Sequence, residues 1–571
     1  MKSDFNTRSK IIGLFFILGA LVFGAKLFFV QIVHGRMYSD LADRQYVTPA
    51  SDIFERGDIY FTSKDGALVS AATQTQGYKL AIAPEKIKNT DQVLASLQTV
   101  LPEINVDDFR AKASKKNDPY EEILRGMTRE EADRISALKL AGVQIHKEKW
   151  RFYPGRNLAA HSLGFVAYKG DELAGRYGLE RHYEDVLTRD KDNPYVNFFA
   201  EIFSNINETL FSDEVRKGNL VTTIEPKVQT YLDRTLKEVK TKYDIDQVGG
   251  IIMNPKDGSI YAISAKPDFD LNDFKSVENT STYRNPFVEN VLEFGSVVKP
   301  LVIASALDAK LVTADTTYED RGSVIVEKKE IWNFDKKGRG PNTSMQDVLN
   351  QSLNTGMVYV YKKLGKERMR EYLLSFGIKD KTGIDLPNET SGLVANLNSP
   401  REIEFANASF GQGIAMTPVE MVRALASLGN GGVLVTPHLV SKIKYDDGTE
   451  KVIEYENKPT KISKETSEEI SRMLVTVMDK SLKNGTAKME HHSIAVKTGT
   501  AQVANNQGGG YYEDRHTHSF FGYFPAYNPE FIVFLYAVNP KGVPYASQTW
   551  ADPFIDLTKF LLNYYQVPPD R

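Results

Sequence analysis

The sequence predicts a multidomain α+β protein with three parts: an N-terminal transmembrane helix, an elongated α/β module, and a C-terminal domain with an antiparallel sheet flanked by helices. Three observations carry this expectation. At 571 residues the chain exceeds a single ordinary core. Residues 11–33 form an apolar run, broken by Lys26 and Gln31, that is long enough to cross a bilayer. Beyond it, short apolar runs alternate with helical periodicities, and three strand-like runs (494–501, 519–524 and 531–538) follow one another near the end.

Lys2, Arg8 and Lys10 precede the apolar run, so residues 1–10 are expected on the cytoplasmic side and everything after the anchor outside. Lys26 is near enough to the outer end for its amine to reach the interface. The rival is a cleaved signal peptide ending near Gly24-Ala25, but Phe23 is bulky where cleavage wants a small residue. The charge balance of 71 basic against 74 acidic residues, net −3, gives no reason to propose a nucleic-acid partner. With no cysteine, disulfides, thiolate chemistry and cysteine-ligated metals are excluded, and no cofactor is expected.

The extracytoplasmic chain divides into a module over residues 34–225, a connecting helix over 226–246 and a C-terminal domain over 247–571. In the module, alternation around Asp65-Gly66 predicts a hairpin, and residues 78–83 a further short strand. Helices are expected over 90–100 and 128–140, the second opening on a Thr128–Glu131 capping box. Residues 170–178 complete a loop-rich tract, and nothing in the module sets a nucleophile beside a base. Pro226 suits a first helical position, and Val228, Leu232, Leu236 and Val239 make one apolar face. Runs at 248–253 and 259–264 read as strands joined by a turn at Asn254–Gly258. Helices follow at 345–352, 357–364, 417–429, 465–477 and 554–565.

Chemistry is expected at Ser296 and Lys299, one helical turn apart, where an amine kept neutral would be a base beside a nucleophile. Ser-x-x-Lys recurs at Ser441 and Lys444, but that passage reads as a strand, where positions three apart face opposite ways. Gly295 permits a tight entry turn for the first match, and Pro300 is tolerable in a first turn. Ser352-x-Asn354, between two helices, can cap the second helix or point into a cleft; the residues leave this open. Lys-Thr-Gly also occurs twice. Lys381-Thr-Gly383 is loop-like, whereas Lys497-Thr498-Gly499-Thr500 lies in a strand, where a small residue lets a peptide lie against the edge. There Lys497 offers a charge to a carboxylate, and Thr498 and Thr500 offer hydroxyls. His516-x-His518 could be two strand ligands for a metal, but no carboxylate partner is identifiable.

Ser296-x-x-Lys299, Ser352-x-Asn354 and Lys497-Thr498-Gly499, in this order, resemble the penicillin-binding serine acyltransferases. The fragments Arg56-Gly57-x-Ile59, Tyr153-Pro154, residues 160–164 and Gly178-Leu179-Glu180 resemble the pedestal (dimerisation-like) domain of the class B, monofunctional members. Phe410–Gly413, Thr417-Pro418, Gly522–Pro525 and Val567–Asp570 extend the likeness over the C-terminal domain, and there is no room for the class A glycosyltransferase domain. Phe294 departs from the usual proline and Val297-Val298 from a commoner pair, departures expected to shape the entrance to the nucleophile.

The resemblance implies a β-lactamase-like transpeptidase domain that cross-links peptidoglycan. Ser296 would attack a D-Ala-D-Ala donor with Lys299 as base, and backbone amides of Ser296 and Thr500 would form the oxyanion hole. Ser352 would relay the proton, Asn354 would hold the substrate amide, and Lys497, Thr498, Gly499 and Thr500 would bind the donor strand. An amine acceptor would then resolve the acyl-enzyme, with β-lactams as inhibitors. Implied partners are a polytopic membrane glycosyltransferase and division proteins. A division-specific role is preferred from Asn354-Thr-Gly-Met357 and the short C-terminus. Alternatives are an elongation-type enzyme, a β-lactamase or carboxypeptidase, and a catalytically weak β-lactam sensor or division scaffold.

Overall fold

The computed structural model describes residues 55–169, 172–189, 216–505 and 509–571. The cytoplasmic segment 1–10, the anchor 11–33, the start of the module and part of the tract at 170–178 therefore lie outside the described residues. Among the described residues, no helix is long and apolar enough to cross a membrane.

The chain separates into two compact units: one holds Thr75–Trp150, the other Glu55–Gln74 and Arg151–Arg571. In the smaller unit, the strands Glu121–Met127 and Val143–Phe152 both pair with the strand Leu68–Ile82. Helices Thr90–Gln98, Val106–Ala113 and Arg129–Ala137 bury Leu94, Leu97, Phe109 and Ile135 with Leu80 and Ile82. The expected capping box forms, Glu131 N donating to Thr128 Oγ1 at 3.2 Å and Thr128 N to Glu131 Oε2 at 2.7 Å. The hairpin around Asp65-Gly66 is present, but its second strand and the one expected at residues 78–83 are a single strand, Leu68–Ile82. Residues 73–77 contain polar side chains but no proline, and the strand runs on through them.

The larger unit is built on a five-stranded antiparallel sheet in the order Ala495–Ala504, Tyr511–Phe524, Phe531–Val538, Gln247–Met253, Ile260–Lys266. Helix Pro226–Tyr243 lays its expected apolar face, Val228, Leu232, Leu236 and Val239, into the core against this sheet. It thereby belongs physically to the sheet domain, and it stacks Tyr231 on Phe560 of the C-terminal helix Ala546–Tyr565 at 4.1 Å. On the opposite face, Phe294 sits edge-on to Phe534 at 5.1 Å, which seats the Ser296 segment on the sheet. Among the described residues, Ala495–Ala504 is an edge strand, paired on one side alone.

The pedestal-like fragments scattered through the sequence converge within this unit. Glu180, fully buried, accepts from Arg56 Nε at 2.6 Å, Arg151 Nε at 2.6 Å and the Tyr153 hydroxyl at 3.1 Å. Arg56 also donates to Glu184 at 2.7 Å, and Arg151 to the Gly57 carbonyl at 2.8 Å. A carboxylate buried this deeply is tolerable because its lone pairs are met by charged donors.

Candidate active site

Ser296 lies on a 3-10 turn, Gly295–Val298, that runs straight into the α-helix Lys299–Asp308. That helix is buried along most of its length, which is why its sequence is apolar all round. Pro300 is in its first turn, where a missing amide proton costs no internal bond. Ser296 is half-buried and faces a cleft of about 1110 Å³, while Lys299 is fully buried one turn on.

Lys299 Nζ lies 2.6 Å from Ser352 O, 2.8 Å from Asn354 Oδ1 and 3.3 Å from Ser352 Oγ. Lys497 Nζ donates to the same Ser352 Oγ at 3.0 Å and to Thr498 O at 3.0 Å. One hydroxyl therefore sits between two buried amines. Burial, then the charge of neighbouring Lys497, pushes the Lys299 amine well below its ordinary value. Burial lowers Lys497 to about 7. A neutral Lys299 has two N–H groups and one lone pair. The two carbonyl oxygens can only accept, so they take the N–H groups and leave the lone pair to a hydroxyl.

The open question about Ser352 and Asn354 is settled by the backbone. Ser352 has φ +55°, unusual for a non-glycine residue, in the turn between helices Met345–Asn350 and Asn354–Leu364. The second helix receives no side-chain cap. Both side chains turn to the lysines instead, and Asn354 Nδ2 is anchored on Trp332 O at 2.9 Å.

The edge strand presents Lys497 and Gly499 on its buried face and Thr498 and Thr500 on a half-buried one. Gly499 calls for a different reason from the one expected. A Cβ there would come within 2.3 Å of Ser519 Oγ and 2.4 Å of Phe294 O, so glycine is required for the strand to pack on the Ser296 turn. Gly295, at φ +60°, meets Thr500 O from the other side, where a Cβ would approach to 2.6 Å. The strand and the turn thus touch backbone to backbone, and Ser296 and Thr500 both line the cleft.

Phe294, Val297 and Val298 do not shape the entrance. All three are fully buried beneath the site, with Phe294 O accepting from Ser519 Oγ at 2.7 Å. They seat the turn from below.

The remaining sequence matches fall elsewhere. Ser441 and Lys444 lie in the strand Val440–Tyr445, Ser441 donating to Val221 O at 3.0 Å and Lys444 pairing with Glu450 at 3.2 Å. Thr382 donates its backbone amide to Glu389 at 2.6 Å in a loop. His518 is buried against Thr549 Oγ1 at 2.9 Å, and no metal-ligating cluster occurs among the described residues. Sequence reasoning missed Trp332, Tyr545 and the Ser481–Asn484 wall of the cleft. In that wall Lys483 and Asn484 are both left-handed (φ +50° and +56°), and Asn484-Gly485 is the only trace of it in the sequence.

A serine one turn from a desolvated lysine, a bridging Ser-x-Asn and a Lys-Thr-Gly edge strand define the class of active-site-serine acyltransferases. The family model for the penicillin-binding protein transpeptidase domain matches residues 248–556, and that for the penicillin-binding protein dimerisation domain matches 54–223. The chain is 32% identical over 566 residues to stage V sporulation protein D of Bacillus subtilis, covering 97% of this chain and 85% of that one. It is 24% identical over 582 residues to peptidoglycan D,D-transpeptidase FtsI of Buchnera aphidicola, covering 99% and 96%. Penicillin-binding protein 3 of Mycobacterium tuberculosis is similar in structure, with a TM-score of 0.65, 25% identity and 74% and 92% coverage. Penicillin-binding protein 2X of Streptococcus thermophilus shares the fold, with a TM-score of 0.72, 20% identity and 90% and 80% coverage. The chain belongs to the class B penicillin-binding proteins, in which a transpeptidase domain is joined to a dimerisation domain.

Proposed function

We propose that this protein is a membrane-anchored serine D,D-transpeptidase that cross-links peptidoglycan stem peptides through a Ser296 acyl-enzyme. The observation that carries the reading is the buried Lys299 amine, held by two carbonyl oxygens with its basicity lowered, one turn from Ser296. Ser296 Oγ attacks the carbonyl carbon between the two terminal D-alanines while Lys299 takes its proton. The oxyanion is met by the backbone amides of Ser296 and Thr500. As the carbon–nitrogen bond breaks, the proton passes from Lys299 through Ser352 to the leaving D-alanine amine. An acceptor amine then attacks the ester and Ser296 recovers its proton. Asn354 holds Lys299 and the donor amide. Lys497 meets the donor carboxylate, and Thr498 to Thr500 receive the donor strand.

β-Lactams acylate the same serine, a reading supported by the ampicillin complex of the M. tuberculosis fold relative. Read as an anchor, residues 11–33 would hold this chemistry outside the cytoplasmic membrane, and the family resemblance implies a polytopic glycosyltransferase and division proteins as its neighbours. We place its work at a septum, with a fluorescent fusion along the side wall instead as the contrary result. The direct test supplies a D-Ala-D-Ala stem peptide and an amine acceptor. The wild type is expected to form cross-linked dimer with release of D-alanine, and Ser296→Ala none. Hydrolysis without dimer would make the enzyme a carboxypeptidase.

A further inference from the structure

Glu293 begins the segment that carries Ser296, yet the mechanism makes no use of it. Its carboxylate accepts from the Tyr511 hydroxyl at 3.1 and 3.0 Å on its two oxygens. Three chain segments meet around this turn. The first is the nucleophile turn itself. The second is the loop after Phe410, whose Gly411 O accepts from Gly295 N at 3.2 Å. The third is the arm of the hairpin that continues the edge strand beyond Thr500, where Ala504 pairs with Tyr511. No lysine or arginine forms an ion pair with Glu293 among the described residues. The other charge facing the arm tyrosine is Glu404, on the helix Glu402–Ala408. Glu293 is thus a half-buried carboxylate satisfied by neutral donors alone, an arrangement retained at a stability cost.

We infer that Glu293 and Tyr511 are a positioning pair, tying the hairpin arm to the nucleophile turn and so fixing Ser296 against the Lys497–Thr500 strand. Ser296 lies three residues after Glu293, and the substrate-facing strand runs into the arm that carries Tyr511. Below the turn, the Phe294 carbonyl is held by Ser519 and Gly499 packs on it. The Glu293 tie closes the same turn from its other end. A slack tie leaves the cleft intact but lets the turn and the strand move independently, which costs rate in a step that needs both.

This inference rests on Ser296 being the acylated residue, so Ser296→Ala is carried alongside. The detergent-solubilised full chain is acylated by a penicillin, and the noncovalent dissociation constant and the first-order acylation rate are resolved separately. Tyr511→Phe and Glu293→Ala are each expected to slow the first-order step roughly tenfold, the worth of one charge-assisted hydrogen bond. The dissociation constant and melting temperature should hold, and the double variant should be no slower than either single one. Glu293→Gln keeps an acceptor oxygen for Tyr511 and is expected to recover most of the rate. It should also remove the part of the acid-side fall in rate that comes from Glu293 taking up a proton, leaving the part that comes from Lys299. Burial pushes that carboxyl above its ordinary value. Unchanged rates in both single variants, losses that multiply in the double variant, or losses that merely follow a falling melting temperature overturn the inference. Labelling of Ser296→Ala at the wild-type rate would instead sink the assignment of the nucleophile.

Discussion

The site turns on Lys299. A lysine is a base only when neutral, and removing it from water next to another amine is what lowers its proton affinity. Acylation should therefore rise with pH as Lys299 gives up its proton, over a range well below that of an ordinary lysine. Lys497 sets the opposite limit. It stands at about 7 and must be charged to meet a carboxylate, so acylation by a carboxylate-bearing penicillin should decline above about pH 7. Binding of the carboxylate moves that decline upward. A rate profile that is flat across this range would contradict both roles. Lys299→Arg keeps the charge at all these pH values and is expected to lose roughly a thousandfold in acylation rate. Gly499→Ala tests contact rather than charge. Its Cβ would meet Phe294 O at 2.4 Å, and the strand must retreat from Ser296. A loss of about a hundredfold in acylation rate is expected, with penicillin labelling at fixed times as the measurement.

At the scale of elements, the charged network around Glu180 holds segments far apart in sequence. Arg56 and Glu180 are both shielded from solvent, so removing one partner strands the other. Glu180→Leu or Arg56→Leu is expected to cost about 3–5 kcal/mol, read as a lower urea midpoint. A change within error would mean that water already reaches the pair. These residues were visible in the sequence only as soft fragments, because buried charge clusters have no periodicity. Periodic elements fared better: the helix Pro226–Tyr243 was legible from its proline and its apolar face, and Phe531–Val538 from a run bounded by polar residues. The strands Glu121–Met127 and Val143–Phe152 were not, since their half-exposed faces carry Glu, Lys and Arg, which are weak strand formers. Ser296, Lys299, Ser352, Asn354 and Lys497 could each be named from motifs. The left-handed turn that brings Ser352 between two amines could not, because serine does not announce positive φ.

For the whole molecule, the sequence expectation of an anchor at residues 11–33 makes a simple demand. The full chain should sediment with membranes and resist extraction by high salt. A chain lacking residues 1–33 should be released while still taking up penicillin. Release of the full chain by salt would leave the anchor without support.

If Ser296 is the nucleophile, the covalent bond to a penicillin forms there and nowhere else. Mass spectrometry of the penicillin-treated full chain should find one adduct, on the peptide that carries Ser296, and Ser296→Ala should carry none. An adduct on another residue, or an equal adduct on Ser296→Ala, would mean that Ser296 is not the nucleophile.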